Sequence, residues 1–232
     1  MLEDLKQQVY EANMLLPEYG LAPFTWGNAS AIDRQQGFIV IKPSGVPYPE
    51  LSPQKMVVVS LDGEVVESSL SPSSDTPTHI ELYKAFPAIG GVVHTHSVNA
   101  VAFAQAGRDI PAYGTTHADF AYGDIPCADA LTDEEIGGAY EKNTGLVIAR
   151  CFARRGLDPM AIPGVIVRNH GPFTWGKDAK KAAENAAVLE IVAKMARYTE
   201  QLSGGLTDRV GQSLLSKHYL RKHGKNAYYG QK

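Results

Sequence analysis

GGVVHTHSVNA, residues 90–100, ends an apolar run in two histidines separated by one residue. Gly90-Gly91 followed by Val92 and Val93 reads as the end of a buried β-strand. Side chains alternate faces along a strand, which sets His94 and His96 on one face and Thr95 on the other. Two protonated imidazoles there would repel; two neutral ones suit a shared cation. The competing reading is a hydrogen-bonded histidine pair at a sheet end. Further ligands decide between them.

Outward from that strand, helices and strands interleave. Leu2, Leu5, Val9, Ala12 and Leu16 keep helical spacing, so the chain opens with an amphipathic helix. GFIVIKPSG (37–45) reads as a strand entering a turn, and MVVVSLDGEVVE (56–67) as a hairpin with Asp62-Gly63 as its two-residue turn. A helix is expected to start near Ser74, ahead of the His94 strand. NAVAFAQAG (99–107) is a helix closed by Gly107. Thr132 and Glu135 form a capping box. GVIVRNHGPFTWG (164–176) reads as a strand, and the longest helix follows it with Asp178 as cap. FTWG occurs at 24–27 and 173–176, but the flanks differ and no repeat is inferred. With no Pro/Gly/Ser-rich linker, residues 1–232 are expected to form a single α/β domain of three α/β/α layers around a central sheet.

A chain of 232 residues with 44% apolar content can bury a sizeable core. A formal charge of −3 gives no general case for nucleic-acid or membrane binding. The opening MLEDLKQQVYEANMLLPEYG carries early acids and no apolar core, unlike a signal peptide. Cys127 and Cys151 have no CxxC partner and read as buried thiols in a reducing cytoplasm.

Among seven histidines, His170 also ends a strand-like run, GVIVRNHG. Imidazoles from the ends of two strands can converge at a sheet edge, a donor set that suits Zn²⁺ or another borderline divalent metal. Asp75 in SSDTPTH (73–79) offers a carboxylate, although a helix cap is an equally ordinary use for it. By spacing alone His79, one turn later, is a further candidate. Barrel-type metal hydrolases also use HxH, but on their first strand with a whole barrel to follow. Cupin-type sites place Glu three or four residues after the second histidine, where Asn99 and Ala100 stand here. TWGNAS (25–30), KPSG (42–45) and PSSD (72–75) combine Gly or Ser with free backbone amides, the makings of a phosphate cradle to which Lys42 adds charge.

WGN (26–28), KPSG (42–45), SSDTPTH (73–79), HTHS (94–97), GTTHAD (114–119), HGPFTWGK (170–177) and the C-terminal HYLRKHGKNAYYGQ resemble the class II aldolase family over essentially the whole chain. GTTHAD and the KHG…AYYG ending point to its epimerase branch. The resemblance implies one Zn²⁺ per subunit on Asp75, His94, His96 and His170. It implies phosphate and substrate contacts from Gly27, Asn28, Ser44, Gly45, Ser73 and Ser74. It implies acid/base roles for Asp119 and Tyr229, although Tyr229 is not separable from Tyr228 without it. It further implies a cyclic homotetramer with active sites at subunit interfaces, to which the segment of about 213–232 contributes. Tyr229 would reach a neighbour's metal, with Asp119 opposite it from another chain.

The implied activity is C4 epimerisation between L-ribulose 5-phosphate and D-xylulose 5-phosphate. The alternatives are a class II sugar-phosphate aldolase, a related dehydratase, or a metal-free interaction module of the same fold. His117 reads as a structural hydrogen-bonder, Thr115 and Glu141 as pocket-lining, and His218 as either a substrate contact or a solvated helix position. Trp26 and Trp175 read as packing residues at strand ends.

Overall fold

Short β-branched runs and alanine-rich amphipathic runs alternate, and the two patterns build a sheet with helices on both faces. A computed structural model describes residues 1–205 and 207–229. The chain runs α1 (Glu3–Glu18), β1 (Asn28–Asp33), β2 (Phe38–Ile41), β3 (Val57–Ser60), β4 (Val65–Glu67), α2 (Thr76–Ala85), β5 (Gly91–His94) and α3 (Val98–Ala106). It continues through α4 (Thr115–Ala118), β6 (Cys127–Ala128), α5 (Asp133–Gly137), α6 (Tyr140–Arg155), β7 (Gly164–Val167), β8 (Pro172–Gly176), α7 (Ala179–Ser203) and α8 (Gln212–His223). Among the described residues, eight strands form one sheet in the order β4-β3-β2-β1-β5-β8-β7-β6. The β6–β7 pair is parallel and the others are antiparallel.

Strand alternation sorts the core into two layers. Val93, Ala29, Ala31 and Val40 face α1 and the alanines that open α7. Val92, Ile39, Phe173 and Trp175 face α2 and α6 on the other side. The expected three layers therefore form. Gly91 explains how close α7 comes: a Cβ there would lie 2.4 Å from the Ala179 nitrogen. Gly107 ends α3 in the left-handed conformation, Thr132 and Glu135 complete their capping box, and the Asp178 side chain accepts from the Lys181 N–H.

Two local readings change. The hairpin over 56–67 has a longer connection than Asp62-Gly63 alone: β3 ends at Ser60, β4 starts at Val65, and the register shifts between Val58 and Val59. A bulge absorbs that shift. GVIVRNHGPFTWG is two antiparallel strands rather than one. Arg168, Asn169, His170 and Gly171 form the turn between them, closed by Val167 N–H to Gly171 O at 2.9 Å and His170 N–H to Val167 O at 3.0 Å. Asn169 takes φ +61°, the left-handed region that Asn tolerates better than most residues. No helix of the described residues is long and apolar enough to cross a membrane. Both cysteines are free, Cys151 buried and Cys127 partly so, and burial raises the Cys127 thiol to about 11.

Candidate active site

The end of β5 and the β7–β8 turn meet at the sheet edge. β5 stops at His94, and His96 follows in the connection to α3. His170 comes in from the neighbouring turn. That approach needs Gly171, where a Cβ would lie 2.9 Å from the Thr95 carbonyl oxygen. One ligand nitrogen from each of His94, His96 and His170 lies within 4.8 Å of the others. His94 stacks on Phe173 at 4.2 Å and donates from Nδ1 to the Pro172 carbonyl oxygen at 2.9 Å. Its Nε2 is then a lone pair, 3.1 Å from His96 Nε2. Zn–N bonds of 2.0–2.1 Å put tetrahedral ligand nitrogens about 3.3 Å apart, so the spacing fits one cation. His170 Nδ1 lies 3.3 Å from the Tyr140 hydroxyl, which leaves Nε2 for a ligand role. Burial first, then the other two imidazoles, pushes His170 down to about 3. Burial and His94 likewise lower His96. Neutral imidazoles are what a metal requires.

Asp75 sits at the N-cap position of α2 but its side chain caps nothing. It accepts instead from Asn28 Nδ2 at 2.7 Å. Burial raises its carboxyl, but His94, His79, the Asn28 bond and His170 outweigh that and hold it low. Asp75 therefore adjoins the imidazoles as a carboxylate, although it lies outside the tight three-nitrogen set. His79, the spacing-based candidate, is not in that set either. It is buried, with Nδ1 bonded to the Ser30 hydroxyl at 2.7 Å.

The three polar turns converge on this edge. Ser44 N–H donates to Ser71 O at 2.9 Å and Ser73 N–H to Lys42 O at 3.0 Å, so the 42–45 and 71–75 turns pair. Buried Lys42 reaches Thr25 O at 3.4 Å and ties in the first turn. Gly27 is pressed onto β5: with φ +74°, a Cβ there would stand 3.0 Å from His94 O. Gly27, Asn28, Ser44, Gly45, Ser73 and Ser74 thus gather beside the histidines, with Ser73 and Ser74 leading into the N-terminus of α2.

Asp119 and Tyr229 lie elsewhere. Asp119 shares a cleft with Phe120, Gly176, Lys177 and Lys222. Gly176 pairs with Gly91, whereas Phe173 pairs with His94, so this cleft is about 10 Å along the sheet from the histidines. Here α8 packs on α4 of the same chain. Arg221 donates to both Asp119 oxygens, from Nη2 at 2.8 Å and Nε at 3.2 Å. His218 Nδ1 adds a contact at 3.0 Å and Lys222 Nζ one at 3.3 Å. Partial burial raises the Asp119 carboxyl, but these hydrogen bonds win and hold it low. The Arg221 guanidinium also lies 4.9 Å from the Tyr229 ring centroid. Arg221 thus lies against both Asp119 and Tyr229 within one chain. His218 is engaged with Asp119 rather than solvated. His117 is a structural hydrogen-bonder, bonded through Nε2 to Gly123 O at 2.8 Å. The Glu141 carbonyl accepts from Thr78 Oγ1 at 2.5 Å, tying α6 to α2, and Thr115 opens α4. Trp175 is a buried packing residue as expected, but Trp26 is exposed. Gly230 and Gln231 of the C-terminal motif, and Lys232 after it, lie outside the described residues.

The family described as Class II Aldolase and Adducin N-terminal domain matches residues 7–197. The chain belongs to this class II aldolase family. Two curated relatives, the L-ribulose-5-phosphate 4-epimerases of Salmonella paratyphi A and Salmonella typhi, are each 56% identical over 231 residues, covering 100% of both chains. Among solved structures, an L-fuculose 1-phosphate aldolase superposes with TM-score 0.75 at 24% identity, covering 93% of this chain and 94% of its own. Another, from Thermus thermophilus, gives 0.69 at 22% identity, covering 88% and 99%. These likenesses are of fold.

Seen as a class II aldolase family member, the chain holds supporting residues that its motifs do not announce. Tyr140 beside His170 and Arg221 beside Asp119 come from helices distant in sequence, and no spacing rule connects them. Glu190 of α7 is another: its carboxylate accepts from the Asn99 and Ala100 N–H groups at 2.9 and 3.0 Å, anchoring the start of α3 just past His96.

Proposed function

We propose that this chain is a carbohydrate isomerase that interconverts L-ribulose 5-phosphate and D-xylulose 5-phosphate by inverting C4. The observation that carries the reading is the cluster of three imidazoles at metal-ligand spacing, set beside three convergent Gly/Ser turns. The full-length similarity to curated 4-epimerases selects the substrate. His94, His96 and His170 with Asp75 would hold a divalent cation, for which the nitrogen-rich donor set favours Zn²⁺. When bound, the ion supplies Lewis-acid stabilisation of charge on the C2 and C3 oxygens.

The hydrogen on C4 is not α to the C2 carbonyl, so simple deprotonation there faces a very high barrier. Breaking C3–C4 avoids it, because the electron pair left on C3 delocalises into the C2 carbonyl. The other fragment, glycolaldehyde phosphate, stays anchored by its phosphate while the aldehyde turns its opposite face. Ser44 and Ser73 would meet the phosphate through their hydroxyls, because their N–H groups are donated to Ser71 O and Lys42 O, and Gly45 and Ser74 through backbone amides beside the α2 N-terminus. Gly27 and Asn28 line the adjoining sugar position. One acid/base group takes the proton of the C4 hydroxyl during cleavage, and a second protonates the new hydroxyl on the other face. Asp119, held as a carboxylate, and the Tyr229 phenol fill these roles.

The place of this pair favours a partner. Asp119 lines its cleft with Gly176, about 10 Å along the sheet from its own histidines, so in this reading each site takes its metal ligands from one chain and its acid/base pair from another. A cyclic homotetramer, closed head to tail, meets this need. The exposed stripe Ile191, Met195, Tyr198 and Leu202 on α7 offers apolar surface for such contacts, with α8 and the following tail at the interface. A sugar phosphate substrate and two free thiols fit a cytoplasmic setting. Incubation with L-ribulose 5-phosphate tests the reading: D-xylulose 5-phosphate is expected. Net release of glycolaldehyde phosphate would instead make the chain an aldolase.

A further inference from the structure

Phe24 and Trp26 stand beside the histidine cluster, 79% and 53% exposed. The Trp26 ring centroid is 6.1 Å from that of His96, and the Phe24 ring meets the indole edge to face at 5.9 Å. The turn that carries them is fixed from both sides of the site. On the metal side, Gly27 is pressed against the His94 carbonyl. On the side of the Ser/Gly turns, the Tyr48 hydroxyl donates to Trp26 O at 2.7 Å, and Lys42 reaches Thr25 O at 3.4 Å. Phe24 is held at φ +58°, a conformation that bulky residues rarely adopt. Such strain persists only where surrounding structure enforces it, and it gathers at functional sites.

The indole therefore borders the span between the three imidazoles and the phosphate turns. In the 4-epimerase reading, the two-carbon aldehyde lies in that span once C3–C4 has broken. It has two needs that hydroxyls, amides and charges do not meet. It must turn its carbonyl over, and a directed hydrogen bond to a fixed wall would hold one orientation. It must also be retained. If it leaves, C3 of the enediolate takes a proton from water, and the products are dihydroxyacetone and glycolaldehyde phosphate. A flat apolar ring answers both needs, because dispersion contact has no preferred direction and the ring keeps water out.

We infer that Trp26 is a substrate-contact residue whose indole is the wall against which the cleaved aldehyde turns, so that it sets the ratio of epimerisation to fragment release. Phe24, one ring further from His96, acts through it as a positioning residue that braces the indole. The inference rests on the 4-epimerase reading and adds the residue that favours re-addition over loss. Placement favours the substrate as the group that covers the ring. Trp26 directly precedes Gly27 and Asn28 at the sugar position, and its ring adjoins His96. Small-molecule sites combine a few placed polar groups with aromatic lining. Here the Ser/Gly turns supply the first and Trp26 the second.

The full-length, metal-loaded protein and its Trp26→Ala and Trp26→Phe variants are supplied with L-ribulose 5-phosphate, and D-xylulose 5-phosphate, glycolaldehyde phosphate and dihydroxyacetone are quantified. Trp26→Ala should raise the ratio of released glycolaldehyde phosphate to epimer at least about tenfold, with metal content unchanged. Trp26→Phe keeps a flat apolar ring and should stay within about threefold of the parent. A parent-like ratio in Trp26→Ala overturns the inference and leaves the 4-epimerase reading standing. If Trp26→Ala loses its metal or its fold, protection of the parent by ligand decides. The chain has two tryptophans and Trp175 is completely buried, so acrylamide quenching of fluorescence reads Trp26. A saturating equilibrium mixture of the two sugar phosphates should lower the quenching constant at least about twofold, whereas inorganic phosphate, which fills only the Ser/Gly turns, should leave it unchanged. Equal quenching with and without the saturating sugar phosphates overturns the contact. No conversion of L-ribulose 5-phosphate by the parent overturns both the 4-epimerase reading and the inference that rests on it.

Discussion

His94 Nδ1 lies 2.9 Å from the Pro172 carbonyl oxygen, and this contact fixes what the imidazole can do. The N–H is committed to the backbone of the adjacent strand, so Nε2 faces His96 as a bare lone pair at 3.1 Å. Two such nitrogens held together need a cation or a proton between them. Parent protein should carry about one Zn²⁺ per chain. His96→Asn should lose most of the metal and the activity while its circular dichroism and melting profile stay native, because His96 is outside the apolar core. Full metal occupancy in that variant, by elemental analysis, would remove His96 from the ligand set.

Tyr140 supports the same centre from α6, with its hydroxyl 3.3 Å from His170 Nδ1. Outer partners of metal-ligating histidines are typically worth about 10–100-fold in affinity. Tyr140→Phe keeps the ring and should weaken metal binding by about 10-fold, measured by competition with a chromophoric chelator. An unchanged affinity would leave Tyr140 as packing only.

The metal-free protein should lose stability as acid is added. His79 and His170 are lowered to about 3, and His96 is lowered as well, so their folded-state values lie below the unfolded one. Above about 6.5 both states hold these rings neutral and they add no pH dependence. Between about 6.5 and 3 the unfolded chain takes up protons that the folded chain refuses, and stability falls with pH. Each fully depressed histidine adds a slope of up to about 1.4 kcal/mol per pH unit. Urea titrations of the chelated protein check this, and His170→Asn should flatten the slope. A flat profile through that window would contradict the assigned protonation states.

Much of this was legible in the sequence, for identifiable reasons. The β5 strand, the α3 and α7 helices and their caps follow from periodicity and local hydrogen-bonding chemistry, which act within a few residues. The HxH pair was legible for the same reason. His170 was found as a ligand candidate but set at a strand end, because a hydrophobic run cannot reveal that Asn169 and Gly171 fold it into a turn. Tyr140 and Arg221 were not legible, since their meaning arises only when helices far apart in sequence pack together. The corner that Asp119 and Tyr229 share was not legible for the same reason: only the packing of α8 on α4 brings Arg221 against both.

That shared corner changes what mixed subunits can do. Tyr229→Phe and Asp119→Asn should each lower activity by about 10²–10⁴-fold, the usual worth of an acid/base group. Mixing these two inactive proteins should restore nothing, because no chain carries both groups. Mixing Asp119→Asn with His96→Asn should restore activity, since hybrid sites take metal from the first and the intact pair from the second. After subunit exchange is verified by native mass spectrometry, recovery in the first mixture and none in the second would reverse the assignment.

The most direct test of C3–C4 cleavage is the fate of the C4 hydrogen. L-ribulose 5-phosphate is converted in deuterated water, and the D-xylulose 5-phosphate formed is analysed by proton NMR. Cleavage and re-addition carry the original hydrogen through on the aldehyde fragment, so the product should keep full protium at C4. Deuterium at C4 would rule out cleavage as the route and require proton abstraction at that carbon.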